Sequence, residues 1–301
     1  YSATVLNDGV IAGASRYGVA LSAADSTVVN TGSLSGGIAG VSLGYGGMLS
    51  NASAASITGI LASGAAATIV NAGAVTTGAI YGYDTATGTG YTLSGHGIAL
   101  YGGGGITNLA GASITGAVDG IITGGTDATV ENAGTVIGGT RAVYLNAQNN
   151  RLIIDPGAVF VGVVLADTTT AANVLELASG ASAGTLNGLG TAYIGFQQVP
   201  IDAGAAWTIV ATETGMAAST IAGFDGDDRL ELTDLAYNAG NTANIDDTTD
   251  ILTISDSLGT GLDTVQLAGD FAGKFFHIGD AGANGSYLTE DGTPCYCRGT
   301  L

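Results

Sequence analysis

TVLNDGVIAG at 4–13, TVVNTGSLSG at 27–36, TIVNAGAVTTG at 68–78, TNLAGASITG at 107–116 and TVENAGTVIGG at 129–139 are copies of one phrase, with a looser copy, MLSNASAASITG, at 48–59. Self-similarity at a period of roughly 20–24 residues marks a repeat architecture, in which one unit cannot bury its own apolar face and must stack on its neighbours. Each phrase is followed by a second alternating segment: GVALSA (18–23), GIAGVSLG (37–44), GIALYGG (97–103), GIITGG (120–125) and AVYLNA (142–147). Short alternating runs cut by Gly or Asn read as strands of about three to five residues joined by tight turns. No stretch combines helix formers, caps and a 3.6-residue period, so helix is almost excluded.

Three short strands per roughly 20-residue turn is the rung of a parallel β-helix. The expected fold is therefore all-β, a β-solenoid of nine or ten coils over residues 1–223 with a C-terminal β-rich cap. Val28, Ile69 and Val130 should point inward and stack on their equivalents. Asn7, Asn30, Asn51, Asn71, Asn108 and Asn132 occupy one turn position. Such asparagines either tolerate a left-handed turn or form a ladder of side-chain hydrogen bonds along the axis at the strand spacing of about 4.8 Å. Persistence of Asn where Gly, Asp or Ser would serve a turn equally well favours the ladder.

Composition agrees: 52 of 301 residues are Gly and only 3 are Pro, which suits turns in a close-stacked sheet and neither collagen nor disorder. No apolar run approaches the ~18 residues needed to cross a bilayer, so membrane insertion is not expected. The chain opens in mid-strand, without the pattern of a signal peptide. AIYGYDTATGTGYTLSG at 79–95 breaks the repeat spacing and reads as a lateral insertion leaving the solenoid wall. From about residue 224 to 294 the texture shifts to acidic strands and hairpin turns, the expected cap over an open solenoid end.

The net charge is −19, and residues 224–270 hold 11 acids against one base, Arg229. That surface repels phosphate backbones and anionic lipids, which argues against nucleic-acid binding and electrostatic membrane docking. GFDGDDRLEL at 223–232 gathers Asp225, Asp227 and Asp228 around a Gly. These carboxylates are a candidate calcium site, although no EF-hand loop or tandem calcium nonapeptide is present; otherwise they are a solvated acidic face, and no cofactor is required. The first 145 residues contain six acids, Asp119 and Asp127 among them, and two bases, Arg16 and Arg141, spread over different rungs. That dispersal weighs against a polysaccharide-degrading β-helix enzyme, which needs carboxylates and a base along one groove.

The repeats, reading V-x-N-x-G-x-I-x-G, resemble the passenger regions of bacterial autotransporter-like proteins and large surface adhesins. The resemblance covers residues 1–145 well and 146–223 loosely. It implies a right-handed parallel β-helix, export from the cell, and a place at the cell surface or in the extracellular (biofilm) matrix. TEDGTPCYCRGTL at 289–301 resembles the opening of a Hint (hedgehog/intein-type) self-processing domain, with residues 295–301 as its truncated start. On that resemblance Cys295 matches the nucleophile and Gly299-Thr300 the Gly-Thr that follows it, while Cys297 has no counterpart. Cleavage chemistry is implied only where a Hint domain follows; the chain itself is expected not to be an enzyme. One residue between Cys295 and Cys297 makes a disulfide joining them strained.

The expected function is an extracellular structural rod that assembles head to tail into filaments or surface matrix; the alternative is a monomeric surface adhesin. Its partners would be further copies of itself and cell-surface or matrix polysaccharide. The first rung begins without a polar cap, so the self-assembly joint is expected around Tyr1 and Val5, with Phe271, Phe275 and Phe276 of the next copy supplying burial.

Overall fold

A computed structural model describes residues 2–79, 82–84, 89–91, 95–167, 173–283 and 285–291. Apart from one short helix, the elements in it are β-strands, and the chain divides into two compact units, residues 1–173 and 174–301.

Unit 1 is a parallel β-solenoid of seven coils. The first coil is Thr4–Asn7, Val10–Gly13 and Tyr17–Leu21; the second is Thr27–Asn30, Ser33–Gly36 and Ala39–Leu43. Each strand pairs in parallel with its equivalent one coil on, in a register that keeps like residues aligned: Thr4–Thr27, Val5–Val28, Asn7–Asn30. Because the side-chain period of a strand is two, that register sends one set of residues inward in every coil. Val28, Leu49, Ile69, Ile106, Val130 and Leu152 form one inward column, at most 2% exposed. Leu34, Ile57, Val75, Ile114 and Val136 form the second, all fully buried. Val41, Ile60, Ile98, Ile121 and Val143 form the third, also fully buried. The corner between second and third strands is tight: a Cβ on Gly138 would lie 1.7 Å from the Arg141 carbonyl oxygen, so no larger residue fits.

The lateral insertion leaves the fourth coil between Ala74–Thr76 and Ile98–Leu100. Gly78 and His96 close its base, with Gly78 N–H donating to His96 O at 2.9 Å and Gly95 N–H donating to Gly78 O at 3.1 Å. Gly82–Asp84 and Thr89–Tyr91 pair as an antiparallel ribbon, and the rest of the insertion lies outside the described residues.

Unit 2 begins as a solenoid and ends as something else. Val174–Leu177, Gln198–Pro200 and Thr220–Ala222 stack in parallel, as do Gly184–Leu189, Trp207–Ala211 and Arg229–Leu232. Consecutive parallel strands thus run to Leu232. Trp207 is 2% exposed and fits because Gly184 opposite it carries no side chain; a Cβ there would meet the indole at 2.5 Å. The final parallel strands then acquire antiparallel neighbours. Gly261–Ala268 pairs in parallel with Thr220–Ala222 and antiparallel with Ile251–Ser255, which pairs with Thr242–Asp246. Gly285–Asp291 lies antiparallel to both Arg229–Leu232 and Phe275–Gly282. Thr242–Asp246 meets Phe275–Gly282 at one bridge, Ala243–Phe276, which closes a circuit over the last coil. In this way Thr220–Ala222 and Arg229–Leu232 are paired on both sides.

Candidate functional site

The six asparagines form a continuous ladder. Asn7 Nδ2 donates to Asn30 Oδ1 at 2.7 Å, Asn30 to Asn51 at 2.8 Å, Asn51 to Asn71 at 2.8 Å, Asn71 to Asn108 at 2.9 Å and Asn108 to Asn132 at 2.8 Å. Asn7 is 6% exposed, Asn51 1%, and the other four are fully buried. The same side chains also stitch their own turns: in four coils the Asn Oδ1 accepts the N–H of the Gly two residues on. The amides of Asn7, Asn30, Asn51, Asn71 and Asn108 further donate to a carbonyl of the next coil, as Asn71 does to Ser113 O at 3.2 Å. Left-handed backbone is not the reason for Asn here, because the asparagine with positive φ among the described residues is Asn149, at 56° and outside the ladder. The ladder ends where Asn132 aligns with the apolar Ile154.

A second polar constellation was not expected. Asp119 is fully buried at the start of Asp119–Thr123, aligned with Arg141 one coil on. Arg141 grips it with two bonds, Nε to Oδ1 at 2.6 Å and Nη2 to Oδ2 at 3.1 Å, the bidentate geometry a guanidinium favours. From the coil before, His96 Nδ1 approaches Asp119 Oδ2 at 3.1 Å, and this imidazole is fully buried. Arg141 Cζ also sits 3.8 Å from the centre of the Tyr144 ring, a cation–π contact. Burial pushes the Asp119 carboxyl up, but the His96 and Arg141 hydrogen bonds outweigh it and hold the group below its ordinary value. The sequence signal was spacing: Asp119 follows His96, and Arg141 follows Asp119, at the interval that separates ladder asparagines. Asp127, read beside Asp119 in the sequence, lies in a turn with φ 58°.

A third device recurs where a coil enters its first strand. A side-chain oxygen accepts the backbone N–H of the equivalent residue one coil earlier: Ser26 Oγ from Ala3 at 3.4 Å, Asn150 Oδ1 from Ala128 at 2.8 Å, Asn173 Oδ1 from Asn150 at 2.8 Å. In unit 2, Asp228 Oδ1 takes this role toward Trp207 at 2.8 Å. Asp228 is 2% exposed, and its Oδ2 accepts Asp225 N–H at 3.1 Å. Burial, reinforced by the negative Asp225 and Asp227 and opposed by those two N–H groups, pushes its carboxyl up to about 6. Of the proposed calcium ligands, then, Asp228 is turned into the fold, and Asp225 Oδ1 accepts Asp227 N–H at 3.0 Å. Among the described residues no group of three or more His, Cys, Asp or Glu side chains is placed to hold a metal ion.

The phenylalanines divide. Phe276 stacks on Phe224 with ring centres 6.1 Å apart and packs against Phe271 at 5.7 Å. Phe271 and Phe276 are 4% and 6% exposed, committed to the core of unit 2, whereas Phe275 is 38% exposed. Val5 is half-buried in the first coil. Tyr1, Cys295 and the rest of the Hint-like segment lie outside the described residues.

The fold defines the class, a parallel β-solenoid. No protein-family model, curated protein or solved structure matches the chain. What the buried polar groups do chemically is hold coil against coil: each bond that reaches from one coil to the next is satisfied only at one register.

Proposed function

We propose that this chain is a non-enzymatic, secreted structural β-solenoid of the cell surface or extracellular matrix, extended into filaments by head-to-tail addition at its first coil. The observation that carries the reading is the stack itself, seven coils in which six buried asparagines bond from coil to coil in one register. Thr4–Asn7, Val10–Gly13 and Tyr17–Leu21 pair with the second coil alone among the described strands. Leu6 and Val10 are 74% and 77% exposed. An unpaired parallel edge presents a row of N–H and C=O groups that templates another strand, and a heterologous contact that does not close on itself propagates as a filament.

Negative-stain microscopy of the purified chain and of a variant lacking residues 1–13 tests the proposal. Filaments from the intact chain, absent from a truncated variant that keeps its β circular dichroism, are the expected result. Filaments of unchanged subunit spacing from the truncated variant would overturn the joint. An intact chain that remains single particles at high concentration would replace the filament with a monomeric adhesin scaffold.

A further inference from the structure

Unit 2 contains a groove lined by exposed aromatic and polar side chains. Thr242–Asp246 is zipped along its length to Ile251–Ser255, and Phe275–Gly282 is zipped to Gly285–Asp291. Toward each other the two strands share only the Ala243–Phe276 bridge, and a groove of about 650 Å³ runs along this seam. That size lies within the range of small-molecule and sugar sites. Ala243 and Phe276 turn inward, 9% and 6% exposed, so the pleat puts their neighbours Thr242, Asn244, Phe275 and His277 on the opposite, outer face. Tyr237 and Phe275 line the groove and are 37% and 38% exposed, whereas Phe224, Phe271 and Phe276 bury themselves in one another.

Exposed aromatic rings set among an amide, a hydroxyl, an imidazole and the Asp247 carboxylate match one ligand chemistry closely. A pyranose ring offers a flat patch of C–H groups on its face and hydroxyls around its rim. The face stacks on an aromatic ring, and the rim both donates and accepts hydrogen bonds, as Asn244 and Thr242 also can; His277, whose Nε2 lies 3.0 Å from Asp291 Oδ1, offers Nδ1 alone. The charge of the surroundings selects further. Lys274 also lines the groove, but its ammonium is bonded to Glu290 at 2.8 Å, so against a net charge of −19 the surface still repels uronate or sulfated chains.

We propose that the groove between Thr242–Asp246 and Phe275–Gly282 binds a neutral polysaccharide, with Tyr237 and Phe275 stacking on sugar faces and Asn244, Thr242, His277 and Asp247 bonding hydroxyls. This deepens the matrix reading above by giving the scaffold a place to hold the polymer around it.

Native affinity electrophoresis of the full chain tests it, in gels containing laminarin, dextran or galactomannan, with alginate as the acidic counterpart. At least one neutral polymer is expected to retard the chain and alginate is not. The double substitution Tyr237→Ala, Phe275→Ala is expected to weaken the retarding interaction by at least about tenfold at an unchanged melting temperature. Should that variant melt early, Asn244→Ala with Asp247→Ala reads the same groove without touching the rings. Retardation by none of the three neutral polymers, equal retardation by alginate, or undiminished retardation of both variants would overturn the proposal. Microscopy of the same samples separates the two readings: lost filaments with sugar binding intact would assign the rings to a joint between copies and sink the groove as a sugar site. Sugar binding by a chain that never forms filaments would leave the groove standing and remove the head-to-tail reading.

Discussion

Units 1 and 2 each bury an aspartate in a wall of stacked strands, and they solve the problem in opposite ways. Asp119 in unit 1 is held by two cationic or protonatable partners from adjacent coils, Arg141 and His96, and its carboxyl is lowered. Asp228 in unit 2 is held by two backbone N–H groups, with Asp225 and Asp227 as its charged neighbours, and its carboxyl is raised to about 6. A solenoid wall can therefore take up a carboxylate either as half of an ion pair between coils or as a cap for a backbone donor. The first arrangement needs its charge, and the second is strained by it.

The largest way to break this contrast is Asp119→Ala. It strands Arg141 and the buried His96 without their shared acceptor, and removing one partner from a buried pair typically costs about 3–5 kcal/mol. Arg141 is partly solvated, its side chain 23% exposed, which places the expected loss toward the lower end. A melting temperature close to that of the parent chain would show that the cluster does not couple the coils.

Asn71→Leu comes next. The change leaves the Asn51 amide without its ladder acceptor, Asn108 Oδ1 without its ladder donor and Gly73 N–H without the Asn71 oxygen. Unsatisfied buried groups cost about 1–3 kcal/mol each, so a loss of at least about 2 kcal/mol is expected. Asn132→Leu should cost less, since only Asn108 reaches it along the ladder. Asn149 makes a poor control for Leu because its φ of 56° would add backbone strain of its own; Asn149→Gly avoids this and should be nearly silent. Equal melting shifts for Asn71→Leu and Asn149→Gly would argue against any axial contribution from the ladder.

The two aspartates should also respond oppositely to acid. A carboxyl lowered in the fold stabilises above its unfolded pKa and loses that contribution as pH falls through the folded value, so Asp119 weakens unit 1 only below about pH 4. A carboxyl raised in the fold takes up its proton before the unfolded chain does. Asp228 should therefore contribute up to about 2 kcal/mol of added stability as pH falls from 7 toward 4. Chemical denaturation of the isolated unit-2 signal, followed through Trp207 fluorescence, reads this. In Asp228→Asn the gain between pH 7 and 5 should disappear, and an unchanged pH profile would assign the effect to other carboxyls.

The smallest effect has the opposite sign. Thr123 lies in register with the apolar Leu100 and Leu145, and its fully buried hydroxyl has no hydrogen-bond partner among the described residues. Thr123→Val keeps the shape and removes the unpaired group, so a gain of about 1 kcal/mol is expected in thermal melts. Destabilisation by this substitution would point to a bond the hydroxyl makes in solution.

The ladder was legible because one residue type recurs in one register, and the inward columns were legible because Val, Ile and Leu alternate at strand period. The Asp119 cluster was not, although its members keep the same spacing. His96, Asp119 and Arg141 are three different residues, each occurring once at that position, and self-similarity detects repetition rather than complementarity. The same holds for Gly184 and Trp207, whose fit is one of shape between coils.

The sequence by itself determined the coil, its length, its inward face and the position of the asparagine ladder, because these depend on local alternation and on a period that any neighbouring coil reproduces. Tertiary structure alone decided which unlike side chains meet across coils and where the parallel stack stops. Residues about 20 apart in the chain become neighbours at the strand spacing of roughly 4.8 Å only once the register is set. Whether a strand continues the stack or folds back depends on which sheet edge is free when it arrives. Gly261–Ala268 uses both of its edges differently, parallel to Thr220–Ala222 and antiparallel to Ile251–Ser255, and nothing in its alternation of residues distinguishes one edge from the other.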